Sequence, residues 1–119
     1  MPPAAYPNVP SKQAQIAMLE IKRAINESSY DERELEYRSL LTKRQEVLAT
    51  REEIHEQIRS RSQSKPERDQ LRIRSQSLKA EAERLTARIL DCEAKGRALL
   101  DERDETGIKL EQVRKQLAS

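Results

Sequence analysis

The chain has no tryptophan and no phenylalanine, and its 119 residues include only three tyrosines, two glycines, one cysteine and one histidine. Each scarcity excludes something. Without large aromatics, and with 35% hydrophobic against 37% charged residues, the chain cannot fill a broad globular core, whereas a narrow seam of Leu, Ile, Val and Ala asks for less. A single cysteine, Cys92, excludes an internal disulfide and fits a reducing compartment. One histidine and one cysteine do not make a convergent catalytic or metal-binding group, and two isolated glycines do not make a phosphate-binding loop. No apolar run approaches the ~20 residues needed to span a bilayer. Residues 1–10 lack the basic start and apolar stretch of a signal peptide. The expectation is an intracellular protein, cytoplasmic or nuclear, with no catalytic residues, cofactor, metal, small-molecule substrate or membrane partner.

What is present is a period. Leu71, Leu78, Leu85, Cys92, Leu99, Thr106 and Val113 recur at every seventh residue, and Ser75, Ala82, Ile89, Gly96, Arg103, Leu110 and Leu117 fill a second slot. Alternating steps of three and four keep one side of a long helix toward a partner helix. A poorer seam precedes it: Tyr30, Tyr37, Arg44, Arg51 and Ile58 in one slot, Arg33, Leu40, Val47 and Ile54 in the other. Arg44 and Arg51 suit such positions if their stems lie along the seam and their guanidinium groups reach water. Earlier still, Ser11 can cap a helix whose apolar face reads Ala14, Met18, Ile21 and Ile25. Ser29 and Glu32 could restart it as a capping box, but no Gly or Pro enforces a stop, so a continuous helix is expected. The width of the early seam leaves room for a third helical surface, from residues 11–27 folding back or from another chain.

Two segments stand outside this pattern. Pro2, Pro3, Pro7 and Pro10 make residues 1–10 an extended tail, with Tyr6 and Val9 as its bulky side chains. The apolar period stops between Ser60 and Pro66, where Ser64 and Glu67 form a capping box and Pro66 falls in the first turn of the next helix. The expected fold is therefore all-α, a long antiparallel coiled-coil hairpin with arms at about 11–61 and 66–118 and a tip at 62–65. Folding about Ser64 sets opposite each other residues whose numbers add to about 128–129, pairing Leu40 with Ile89, Tyr37 with Cys92 and Met18 with Leu110. On the same count Arg33 is level with Gly96, which would let a bulky side chain approach.

The protein-binding seam is expected to comprise Leu40, Val47, Ile54, Ile58, Leu71, Leu78, Leu85, Ile89, Leu99, Leu110, Val113 and Leu117. Leu41, Leu48, Leu90 and Leu100 lie off that seam and would be exposed on a lone hairpin, which marks them as contacts for a partner chain. His55 reads as a residue flanking the seam, and Cys92 as a small core residue. The acidic run Asp101, Glu102, Asp104 and Glu105 lacks the alternation and glycine of a calcium loop and reads as helix surface neutralised by Arg97 and Arg103. Arg59, Arg61, Lys65, Arg68, Arg72, Arg74 and Lys79 face only Glu67 and Asp69, a surplus of about five positive charges around the tip.

These features point to a non-enzymatic adaptor or scaffold subunit that associates with copies of itself or with other helical chains. A second expectation is binding of a nucleic-acid backbone or an acidic partner through the basic tip. A third is a parallel homodimer of unbroken helices, as in a viral or phage scaffold, in which Pro66 would cost about 3 kcal/mol inside the helix.

Overall fold

The computed structural model describes residues 11–119, and the expected tail at residues 1–10 lies outside them. Two helices carry the chain: α1 (Lys12–Ser60) and α2 (Lys65–Ala118), joined by residues 61–64 in a helical hairpin. The chain therefore turns back at the tip and does not continue as a single rod.

The helix ends follow from local chemistry. The hydroxyl of Ser11 accepts a hydrogen bond from the Ala14 amide at 3.1 Å, capping α1. At its other end the Arg61 amide bonds to the Ile58 carbonyl at 3.2 Å, and Arg61 takes a left-handed conformation with φ of 54°. The expected capping box opens α2: the Glu67 amide donates to Ser64 Oγ at 3.4 Å and the Ser64 amide to Glu67 Oε2 at 3.3 Å. Lys65 and Pro66 belong to the first turn of α2, where proline's missing donor leaves no bond unmade. Ser29 and Glu32 start nothing. Helix α1 runs through them unbroken, so the separate third helix over residues 11–27 does not form.

The paired helices divide into two compact units, residues 11–32 with Gly96–Ser119, and Arg33–Lys95. In the second unit Leu40, Leu85, Ile89 and Cys92 are buried together, with Tyr37, Leu41 and Val47 packed against them. Ile54 and Ala82 are buried as well, while Ile58, Leu71 and Leu78 are half-buried. In the first unit Leu110 and Thr106 are almost fully enclosed, with Leu99 and Val113 half-buried. Leu117, expected in the seam, is 48% exposed in the last turn of α2.

The expected apolar face at the start of α1 is reversed. Met18, Ile21 and Ile25 are 62%, 61% and 59% exposed, and Ala14 is exposed with them. Ile16 and Leu19 are the half-buried aliphatics, and Asn26 is buried. The reason is phase. Tyr30 lies against Gly96, and counting back along a regular helix in steps of four and three from Tyr30 arrives at Asn26, Arg23, Leu19 and Ile16, not at Ile25, Ile21 and Met18. Leu19 thus takes the inward position expected of Met18.

Candidate interaction surfaces

Polar groups in the second unit are arranged across the helix pair. Arg44 Nη1 reaches Thr86 Oγ1 at 3.4 Å, and Arg51 Nε reaches Ser75 Oγ at 3.3 Å. Ser75 is buried and also meets His55 Nε2 at 2.7 Å. The two arginines in seam positions therefore turn their heads to hydroxyls on α2, where water was expected to take them. Nothing in the heptad pattern announces this, because a serine in a heptad slot reads only as a weak apolar position.

Glu52 lies 4.0 Å from His55 Nδ1, so carboxylate, imidazole and hydroxyl fall in the order of a nucleophile relay. The resemblance ends there. The carboxylate is beyond hydrogen-bond distance, Ser75 is sealed between the helices, and the surrounding backbone amides are spent on helical bonds, which leaves none to stabilise an oxyanion.

Cys92 is 4% exposed and its thiol donates to the Arg33 carbonyl at 3.2 Å. Burial pushes the thiol up from its ordinary value, with the Glu36 charge adding to the effect. Tyr37 is raised too, first by its hydrogen bond to Glu93 and then by burial. Both residues support the packing of the second unit. Among the described residues no group of His, Cys, Asp and Glu could hold a metal ion. The acidic run near the end of α2 is partly neutralised, by Arg103 on Asp104 at 3.3 Å and by Lys22 on Glu102 at 3.4 Å.

Among the described residues two exposed surfaces stand out from isolated apolar side chains such as Leu35 and Ile108. The first is the outward side of α1, where Ala14, Ala17, Met18, Ile21, Ala24 and Ile25 form a stripe three turns long without a charged side chain in it. Met18 also borders an open groove with Leu19, Val113, Gln112 and Lys109. The leucines expected to be exposed divide: Leu48 and Leu90 are 45% and 59% exposed, whereas Leu41 packs against the core and Leu100 is half-buried. The sequence contained the α1 stripe, but as the inward face.

The second surface is the tip. Arg59 is held by Glu52 at 2.9 Å and Glu56 at 2.7 Å, which raises the guanidinium and holds the Glu52 carboxyl below its ordinary value. Arg72 lies 3.6 Å from Asp69. The side chains of Arg61, Lys65, Arg74 and Lys79 make no hydrogen bond or ion pair with another described residue. Arg68 is half-buried, and its enclosed Nε has no acceptor. No helix among the described residues is long and apolar enough to cross a membrane. No protein-family model matches this chain, and no curated protein or solved structure does either.

Proposed function

We propose that this chain is a non-enzymatic assembly protein, a helical hairpin acting as an adaptor or scaffold subunit that receives a further helix on the outward side of α1. The observation that carries this reading is the exposure of Met18, Ile21 and Ile25 at 62%, 61% and 59% on one uncharged stripe. Their spacing of three and four repeats that of a coiled-coil seam, so the stripe is already shaped to take a helix lying along it. Flanking alanines at 17 and 24 let a second backbone come close. Contiguous apolar surface of this kind, left to water, favours association.

The test is a mass measurement on the natively purified chain with whatever accompanies it. Exchange of Met18, Ile21 and Ile25 for serine should release the chain bound along this stripe, leaving in place any partner held at the hairpin tip, while far-UV circular dichroism stays unchanged. A native chain that is monomeric and unaccompanied, or a triple variant that releases no chain, overturns the reading.

A further inference from the structure

We infer that the hairpin tip is a docking surface for an acidic protein segment carrying an apolar side chain, with Arg61, Arg74 and Ile73 as its principal contacts. This surface is separate from the α1 stripe and does not depend on it. Three observations converge on it.

The first is unspent charge. Arg59 and Arg72 are satisfied by carboxylates within the chain, but Arg61, Lys65, Arg74 and Lys79 are not. The nearby acids are occupied: Glu67 is engaged with Ser64 in the cap of α2, and Asp69 with Arg72. The charge left over is positive and has no use inside the molecule, so it complements an acidic partner.

The second is the position of Arg61. Its φ of 54° is the left-handed conformation that follows a helix C-terminus, where glycine or asparagine is least strained. An arginine there costs about 1 kcal/mol in backbone strain. Backbone strain of this sort gathers at binding sites, and here it holds a cation out on a link of four residues.

The third observation selects the class of partner. Ile73 is 69% exposed beside Arg74, and the two border an open groove with Leu71, Gln57, Gln63, Gln70, Ser77 and Glu67, whose carboxylate already accepts from the Ser64 amide. Gln63 is pinned by a 2.7 Å bond from Nε2 to the Gln57 carbonyl, which leaves its Oε1 enclosed and without a donor. A nucleic-acid backbone has no use for an exposed isoleucine, and residues 57–79 offer no aromatic ring on which a base could stack. An acidic peptide suits this surface: carboxylates for the cations, an aliphatic or aromatic side chain for Ile73 and Leu71, and backbone groups for the exposed Gln57 and Gln70 amides.

The test is fluorescence anisotropy with the full chain and three labelled probes: a peptide of glutamates and aspartates with leucines at its centre, the same peptide with serines in place of the leucines, and a single-stranded oligonucleotide. Titrations run at about 50 mM and about 300 mM salt. The leucine-containing peptide should bind most tightly at low salt and weaken at high salt. Arg61→Glu with Arg74→Glu should reduce its affinity about tenfold or more. Ile73→Ser should remove the preference for the leucine-containing peptide over the serine version. Arg61→Gly should raise the melting temperature and still weaken peptide binding, which a purely structural arginine would not do. The inference is overturned if the acidic peptide fails to bind at low salt, if Ile73→Ser or Arg61→Gly binds as the unaltered chain does, or if the oligonucleotide binds more tightly than the peptide.

Discussion

Gly96 and Gly107 sit inside α2, where glycine is worth about 1 kcal/mol less than alanine. A methyl group at Gly96 would rest 3.6 Å from Cε2 of the Tyr30 ring, an ordinary contact, and one at Gly107 would meet nothing within 4 Å. A bulky side chain does approach Gly96, as expected, but it is Tyr30 and not Arg33, and it leaves room for a methyl group, so neither glycine is required by its neighbours. Gly107→Ala and Gly96→Ala should each stabilise the fold by about 0.5–1 kcal/mol, read from urea midpoints. Cys92 and Tyr37 bear on pH. Both are held protonated above their ordinary values of 9.0 and 10.0, so the folded chain keeps these protons after the unfolded chain has begun to lose them. Their contribution is complete below about pH 9 and falls as pH rises through the folded values. Urea midpoints measured from about pH 8 to 11 should decline, and Cys92→Ala should flatten the early part of that decline.

Positions along a single helix differ sharply in what they contribute. Leu40 is 2% exposed and buried with Leu85, Ile89 and Cys92, so Leu40→Ala should cost about 2–5 kcal/mol, whereas Leu48→Ala, at a 45% exposed position, should cost far less. Much of this was legible in advance. The seven-residue repeat of α2, the Ser64–Glu67 box and the placement of Pro66 announce a hairpin, because each is a local signal whose meaning does not change with its surroundings. The start of α1 was not legible in the same way. Residues 14–25 carry two stripes, and the more apolar one, through Met18, Ile21 and Ile25, loses the inward position to Ile16, Leu19 and Asn26. Local hydrophobicity favours the first, but a helix without a break must keep the phase in which Tyr30 meets Gly96. The engagement of Arg51 and His55 with Ser75 was hidden for another reason: cross-helix hydrogen bonds depend on rotamers, and heptad counting carries no information about those.

Across the whole molecule the two units differ in what fills them. Residues 33–95 enclose Leu40, Ile54, Ala82, Leu85, Ile89 and Cys92 together with Ser75, whereas residues 11–32 with 96–119 enclose Asn26, Thr106 and Gly96 beside Leu110. The Nδ2 of Asn26 is buried without an acceptor midway along that unit, a deficit of about 1–3 kcal/mol, whereas the unpartnered atoms of residues 33–95, Gln63 Oε1 and Arg68 Nε, lie at the tip, away from the Leu40–Cys92 core. Amide hydrogen exchange should therefore be slower in residues 33–95 than in the other unit, and comparable protection in both would contradict this account. The link of four residues has a further consequence, in time. Contacts near it join residues close in sequence, as His55 and Ser75, 20 apart, whereas Glu20 and Arg114 are 94 apart. Closing the shorter loop sacrifices less chain entropy, so the helices should zip from the tip toward the termini. Alanine substitutions at Ile54 or Leu85 should slow folding, and those at Leu110 should chiefly speed unfolding. During synthesis all of α1 must wait for the start of α2, so the inward side of α1, Leu40 and Ile54 included, stays uncovered until its partner helix emerges.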